Sequence, residues 1–132
     1  EDEQVLAHFA RMTRLYAHMA PYLRSLSDEA VATGLPVQRP LFLHFPDDPV
    51  TYALQESYLY GADLLVAPVI QPGVDRWTTY LPAGTDWVEV WTDSVHAGGQ
   101  TVTVDAPLGK PPLFYRQGSA WTALFAGIAA VT

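Results

Sequence analysis

Hydrophobic residues recur at spacings of three and four along the first part of the chain, the pattern of one face of an α-helix. The members of this stripe are Val5, Phe9, Met12, Tyr16, Met19, Leu23 and Leu26. The carboxylates of Glu1–Glu3 fall in the first turn, where they favour the helix dipole. Pro21 interrupts the stripe, so the pattern predicts either one kinked helix or two helices joined there. Gly34 is the expected C-terminal stop.

The next segment, Leu35–Phe45, is almost continuously apolar rather than alternating. Such runs are typical of a strand that is covered on both faces, as in a parallel sheet. Together with the preceding helix, the run predicts one αβ step of an α/β fold. In barrels built from such steps, the catalytic residues lie at the carboxyl ends of the strands. His44, Asp47 and Asp48 are at that end of the expected strand.

A second helix is expected over Asp48–Tyr60, followed by Gly61. An aspartate can cap a helix, and the proline that follows it suits the first helical position. The side chains expected to face inward are Tyr52, Gln55 and Leu59.

From residue 63 onwards, short apolar runs are separated by Gly/Pro turns, a pattern that predicts a small antiparallel sandwich. The predicted strands are Asp63–Ile70, Thr78–Leu81, Trp87–Trp91, Gln100–Val104 and Leu113–Arg116. The second and third of these should form a hairpin across the turn at residues 82–84. The last follows two prolines and is expected at an edge of the sheet or after a bend. Ser119–Val131 is Ala-rich and is expected to be helical.

Composition narrows the class of function. The formal net charge is −7, and no basic run or basic amphipathic helix is present. These features argue against binding of nucleic acid and against attachment to an anionic membrane. The apolar stretches are too short to cross a bilayer. The absence of cysteine excludes disulfides and zinc–thiolate sites within these residues.

A family likeness is carried by three stretches, Arg39–Asp48, Tyr58–Val69 and Trp77–Pro82 with Trp87 and Val88, which resemble glycoside hydrolase family 31, the α-glucosidase family. Arg39–Asp48 resembles the segment at the last barrel strand of that family, and Tyr58–Val69 resembles the aromatic/Gly step and "LLVAPV" strand that follow it. Trp77–Pro82 with Trp87 and Val88 is similar to the family's sandwich hairpin. The resemblance covers nearly the whole chain.

The resemblance implies an α/β plus all-β fold class. Residues 1–61 would be the last αβ portion of a (β/α)8 TIM barrel, and residues 62–132 a C-terminal antiparallel β-sandwich with a terminal helix. The rest of the same enzyme, with its catalytic barrel, would then be the partner of this segment. Homo-oligomers are left open, and a bacterial cytoplasmic location is expected.

Within the family, Gly109–Arg116 and Ser119–Phe125 look most like the sulfoquinovosidases. The more usual α-glucosidases carry Glu where His44 stands, and typically Arg-x-Gly with apolar residues in place of Tyr115–Gly118. The resemblance implies retaining hydrolysis of small α-glycosides by two carboxylates, without a cofactor. Both catalytic aspartates of the family come from segments that precede this one. No residue of this chain is therefore assigned a catalytic role, and its substrate-binding residues are not identified.

The polar cluster of His44, Asp47 and Asp48 resembles a catalytic constellation, because a His beside a carboxylate can act as a general base. We favour a structural role, in which Asp48 caps a helix and His44 forms a hydrogen bond near the rim and at most helps to shape the pocket. Arg39 is expected to form an ion pair rather than bind a ligand. Lys110 is expected to be solvated rather than bound to an anion.

Metal binding is not predicted. A calcium site could be imagined from four scattered carboxylates, but their spacing is not that of an EF-hand loop, and solvated turns are expected instead. These residues are Asp86, Glu89, Asp93 and Asp105. The histidines do not have metal-ligand spacing either. They are His8, His18, His44 and His96.

Aromatic residues leave a second class of function open. They could form a platform on which sugars stack, as in a non-catalytic carbohydrate-binding module, but we expect them to be core and interdomain anchors. They are Trp77, Tyr80, Trp87, Trp91 and Trp121. A plain scaffolding fragment is a further alternative. The isolated segment is expected to be poorly soluble or partly unfolded, because its apolar faces would lack partners.

Overall fold

The computed structural model of the protein describes residues 2–132. Within this range the α-helices are α1 (Asp2–Thr33), α2 (Thr122–Ala126) and α3 (Ile128–Val131). The strands are β1 (Gln38–Pro40), β2 (Tyr58–Tyr60), β3 (Leu64–Val66), β4 (Arg76–Leu81), β5 (Trp87–Glu89), β6 (Val95–His96), β7 (Gln100–Asp105) and β8 (Leu113–Arg116). Short 3₁₀ helices occupy Leu41–Leu43 and Pro49–Tyr52.

All strand pairs are antiparallel. A six-stranded sheet has the order β1-β2-β3-β8-β5-β6, and β4 and β7 form a separate two-stranded sheet. The helices lie against one face of the six-stranded sheet, and the two-stranded sheet lies against the other. The fold is therefore rich in antiparallel sheet with a few helices, as the predicted sandwich requires.

Alternate residues of the central strands enter two different cores, as the period of a strand demands. Leu64 and Val66 face α1, where they pack with Met19, Tyr22 and other helix residues. Leu65 faces the opposite way, toward the two-stranded sheet. The apolar run in β3 is thus a strand buried on both faces, one covered by helices and the other by β4 and β7.

The first helix forms as its stripe predicts and continues through Pro21 without a break, so the alternative of two helices is wrong. Its C-terminus is closed by Gly34, which has a positive φ of 79° and donates its N–H to the carbonyl of Ala30. Acidic residues of the first turn include Asp2 and Glu3, while Glu1 lies outside the described residues.

The doubly buried parallel strand expected over Leu35–Phe45 is not present. Only β1 is extended there, and it pairs antiparallel with β2. The chain then turns into the 3₁₀ helix, which buries Leu41 but leaves Phe42 and Leu43 39% exposed. The apolar run therefore reflects a bend with side chains on several sides, and not one strand inside a parallel ring.

The helix expected over Asp48–Tyr60 is also wrong beyond its first turn. Asp48 does cap a helix, but this is the short 3₁₀ helix ending at Tyr52, and β2 follows it. Leu59 is buried as predicted, whereas Tyr52 and Gln55 are exposed.

The expected hairpin between β4 and β5 does not form, because β4 pairs with β7 and β5 pairs with β6 and β8. Nor is β8 an edge strand: it lies between β3 and β5. The remaining predicted elements are present, with β7 and β8 close to their expected bounds and the C-terminal helix divided at Gly127.

The sheet continues across the proposed domain boundary at residue 61, since β2 and β3 are hydrogen-bonded neighbours on its two sides. The division into 1–61 and 62–132 stays a prediction about the whole protein. No helix among the described residues is long and apolar enough to cross a membrane.

Candidate functional site

Two of the polar residues singled out from the sequence, Arg39 in β1 and His44 after it, lie where the C-terminal part of α1 meets the sheet. Arg39 is the central one, and its side chain is only 1% exposed. It donates from Nε to the carbonyl of Pro36 at 2.6 Å, and its Nη2 forms an ion pair with Glu29 of α1. The expected ion pair of Arg39 is confirmed, and it joins the end of α1 to the first strand.

His44 completes this arrangement by placing Nε2 3.0 Å from Nη1 of Arg39. A guanidinium has donors and no acceptor, and it stays charged, so Nε2 must accept. His44 is therefore neutral, with its proton on Nδ1. Burial lowers the pKa of His44 below its usual 6.5, and the nearby charges of Arg39 and Arg116 lower it further. We call Glu29, Arg39 and His44 the Arg39 cluster.

A second cation, Arg116, lies near His44 and lines the same cavity. Arg116 donates from Nε to the carbonyl of Ala62 at 2.7 Å and lies 3.6 Å from the carboxylate of Asp63. Its guanidinium carbon is 4.4 Å from the centre of the Phe45 ring, a cation–π contact. Burial lowers the pKa of Arg116, and Asp63 opposes that shift.

Asp48 joins the loop that follows β1 to the turn that follows β4. Its carboxylate accepts from the hydroxyl of Tyr80 at 2.6 Å, from the N–H of Ala83 at 2.8 Å and from the N–H of Val50 at 3.1 Å. Burial alone would raise the pKa of Asp48, but these hydrogen bonds outweigh it and hold the pKa low. A general acid of a glycosidase needs the opposite shift. The capping role expected for Asp48 is confirmed, and the structure gives it no catalytic feature.

Asp47 is exposed and lines a shallow cavity of about 310 Å³ together with His44, Asp48 and Arg116. The sequence-predicted cluster is thus brought to one rim, but each member has a different role: His44 is bonded to Arg39, Asp48 ties loops, and Asp47 faces solvent. Retaining hydrolysis needs two carboxylates about 5 Å apart, both free to act on the sugar. The engaged state of Asp48 does not fit that need.

The four scattered carboxylates do not converge. Asp86, Asp93 and Asp105 are exposed as predicted, although Asp105 is the last residue of β7 and does not lie in a turn. Glu89 departs from the prediction because it is buried, with its carboxylate 3.6 Å from Nε2 of His96. No group of three potential metal ligands occurs among residues 2–132.

The aromatic residues are divided between two cores and form no common platform. Trp87 is fully buried on the side of β4 and β7 and donates its ring N–H to the carbonyl of Pro82. Trp91 and Trp121 pack instead against the helices. The expectation that these residues serve as core anchors is confirmed for them. Lys110 is exposed, as expected, and its ammonium lies 5.7 Å from the centre of the Trp91 ring.

Two contacts that position α1 were missed from the sequence. One is the choice of Glu29 as the partner of Arg39, which no local pattern identifies. The other is Gly61, whose φ is +62° and where a Cβ would overlap the side chains of Tyr22 and Leu26. The hydroxyl of Tyr22 donates to the carbonyl of Tyr60 beside it, and burial raises the pKa of Tyr22 to about 12. A glycine before a strand is the available signal, but the same residue also suits the end of a helix.

Comparison with known proteins gives this arrangement its context. A model of the glycosyl hydrolase family 31 C-terminal domain matches residues 34–120. Sulfoquinovosidases of Agrobacterium fabrum and Escherichia coli are 58% and 50% identical to this chain over 125 and 130 residues. These alignments cover 95% and 98% of this chain but 19% of each relative.

Among solved structures, a GH31 family sulfoquinovosidase from E. rectale, in complex with the aza-sugar inhibitor IFGSQ, matches with a TM-score of 0.92 at 40% identity. The match covers 97% of this chain and 19% of that chain. This segment therefore spans about a fifth of the length of the relatives it matches. Since the family's C-terminal domain accounts for most of its residues, the chain belongs to glycoside hydrolase family 31.

Proposed function

We propose that the chain is the C-terminal segment of a retaining α-glycoside hydrolase that cleaves α-sulfoquinovosides. The observation that carries this proposal is the identity of 58% and 50% to two sulfoquinovosidases across nearly all of the chain. In this mechanism one carboxylate attacks the anomeric carbon, while the other protonates the leaving oxygen and later activates water. Both carboxylates would come from the remainder of the enzyme, because those described here are exposed or structurally engaged.

The segment's own contribution is structural. The division at residue 61 stays a prediction, and as an alternative to it we propose a boundary between residues 33 and 34, with α1 as the last helix of the (β/α)8 barrel and the rest as the β-sandwich behind it. Two observations support this alternative. The family's C-terminal domain begins to match at residue 34, and β1 and β2 belong to the same sheet as β3.

In this arrangement the Arg39 cluster lies at the junction of the two domains. The ion pair from Glu29 to Arg39 would hold the sandwich in a fixed position on the last barrel helix. The bacterial cytoplasmic location and any homo-oligomer of the enzyme stay predictions.

The test is a substrate comparison with the full-length protein. Chromogenic α-sulfoquinovoside and α-glucoside should be hydrolysed with kcat/KM values that differ by at least about 100-fold in favour of the sulfonated sugar. A site built to bind a polar substituent discriminates strongly against substrates that lack it. Preference for the glucoside would contradict the proposed sulfoquinovoside substrate but would leave the proposed α-glycoside hydrolysis in place. Hydrolysis of neither, together with sugar binding by the protein, would favour a carbohydrate-binding module.

A further inference from the structure

A cavity of about 340 Å³, which we call the helix–sheet cavity, lies between α1 and the face of the six-stranded sheet that α1 covers. Its wall on the helix side includes Leu15 and Met19, and its wall on the sheet side includes Leu64, Val66 and Leu113. Protein interiors are normally packed without spaces much larger than a water molecule. A volume of this size falls within the range of pockets that hold small molecules.

The lining of the helix–sheet cavity is mostly apolar, with a few polar side chains that can donate hydrogen bonds. These polar residues are His8, Arg11, Tyr16, Tyr58, Tyr60 and Thr132. No Asp or Glu is among the described residues that line the cavity, although the chain has 14 acidic residues and a net charge of −7. Burial and the neighbouring Tyr60 raise the pKa of Tyr58 to about 12, so its hydroxyl stays neutral and can donate. The lining therefore presents no acidic side chain that would repel an anion.

Arg11 places a positive charge at the surface end of the helix–sheet cavity. Its guanidinium lies against the exposed Gly109, where an added Cβ would be 2.6 Å from Nη2. Lys110, the next residue of that loop, holds its ammonium 5.7 Å from the centre of the Trp91 ring, and Trp91 also lines the cavity. Neither cation forms an ion pair with a residue in the range 2–132. Two positive charges thus lie at this end of the cavity without a described carboxylate to neutralise them.

We propose that the helix–sheet cavity binds a single-chain amphiphile with an anionic head group. The apolar chain lies between α1 and the sheet, and the head group accepts hydrogen bonds from Arg11 at the opening. Even an apolar cavity of about 150 Å³ takes up small hydrophobic molecules, so the larger cavity here suits a chain. An anionic head is favoured over a neutral one because a charge-assisted hydrogen bond to a guanidinium is stronger than a neutral one. This ligand differs from the glycoside substrate, and the inference does not depend on the proposed function.

Calorimetric titration of the full-length protein with decanoate tests the inference. Decanol, which has the same number of carbon atoms but no charge, is the control ligand. Decanoate should bind saturably, with one molecule per chain, and at least about tenfold more tightly than decanol. The absence of saturable decanoate binding would overturn the inference, and this is the result expected if the remaining part of the polypeptide fills the cavity. Equal affinities for the two ligands would also overturn it, because the head group would then not be recognised.

A matched pair of substitutions locates the binding site. Arg11→Gln should weaken decanoate binding at least about tenfold and change decanol binding by less than about twofold. Arg24 is an exposed arginine of the same helix that does not line the cavity, so Arg24→Gln should leave both affinities unchanged. Equal effects of the two substitutions on decanoate binding would place the ligand elsewhere and overturn the inference. Leu15→Trp, which fills the cavity, should abolish binding of both ligands; if this variant does not fold, the arginine pair decides.

The substrate assay on the wild-type protein keeps the two proposals separable. An active sulfoquinovosidase that binds no decanoate would remove the ligand of the helix–sheet cavity and leave the proposed function. A protein that hydrolyses neither glycoside but binds decanoate through Arg11 would do the reverse.

Discussion

At the scale of single residues, the Arg39 cluster shows how a buried cation determines the state of its neighbours. Because Arg39 remains charged and can only donate, its contact with Nε2 of His44 requires a neutral imidazole. Protonation at Nε2 would remove the acceptor and add a third cation beside Arg39 and Arg116. The stability of this region should therefore depend on pH through His44.

His44 should make the protein less stable as the pH falls below about 6.5. Its pKa is lowered in the folded state, so the unfolded chain takes up the proton first. The stabilisation is fully present above pH 6.5 and is lost as the pH falls toward the folded-state pKa. His44→Gln retains an acceptor but does not titrate, so its melting temperature should fall less between pH 7 and pH 5.5 than that of the wild type. Parallel pH profiles of the two proteins would refute this role.

Gly61 allows the close approach of α1 to the turn between β2 and β3. Gly61→Ala should destabilise by about 2–4 kcal/mol, because it adds backbone strain and overlap with Tyr22 and Leu26. Gly73 is a suitable control, since its φ is also positive but nothing lies within 4 Å of a Cβ there. Gly73→Ala should cost only about 1 kcal/mol. Amide hydrogen exchange in the full-length protein gives the loss of stability for each variant. Equal losses for the two variants would show that α1 does not pack tightly against Gly61.

At the scale of elements, the ion pair between α1 and β1 is asymmetric. The side chain of Glu29 is 43% exposed, whereas that of Arg39 is 1% exposed. Removing Glu29 strands a guanidinium away from water, while removing Arg39 leaves a carboxylate that water can solvate. The asymmetry predicts which partner the structure can lose at lower cost.

Glu29→Ala should cost about 3 kcal/mol, the amount typical of an uncompensated buried charge. Adding Arg39→Met, which keeps most of the side-chain volume, should restore part of that loss. Hydrogen exchange at the end of α1 and in β1 gives the local free energies for this double-mutant cycle. Strictly additive effects would mean that the two charges do not interact.

Elements were predictable where their signal is local. The stripe of α1, the alternation in β7 and the cap at Asp48 each reside in a few neighbouring residues. The pairing of β4 with β7 has no such local signal. The turn after β4 leads into a strand of the other sheet rather than back along β4. The bend after Pro40 was missed for a related reason: a run that supplies side chains to several surroundings has the same composition as a doubly buried strand.

The candidate site was predictable only in part. The cap at Asp48 is predictable, but its bonds to Tyr80 and Ala83 join residues that are 32 and 35 positions away in the chain. The ion pair of Arg39 was expected, yet its partner depends on where α1 comes to rest on the sheet. Such contacts are products of tertiary packing, and no spacing along the chain encodes them.

At the scale of the whole molecule, the exposed apolar residues near the start of α1, Leu6 and Phe9 among them, predict opposite effects in two settings. Expressed alone, residues 1–132 should aggregate, because Leu6 and Phe9 stand exposed beside further apolar residues of α1. Leu6→Lys with Phe9→Lys should raise the soluble yield of that fragment and lower the melting temperature of the full-length protein. Yield and melting curves for the two pairs of proteins check this. A soluble, cooperatively melting wild-type fragment would contradict it.

The position of β8 has a consequence for how the polypeptide acquires its structure. Residues 113–116 join β3 to β5, so until they arrive the larger sheet exists as two separate pieces, each with an unpaired edge. Contacts this distant along the chain form slowly, because a long loop must close before they contribute. A chain whose translation stops before residue 113 should therefore be prone to aggregation through its unpaired strand edges. Chaperones and proteases should act on this truncated product.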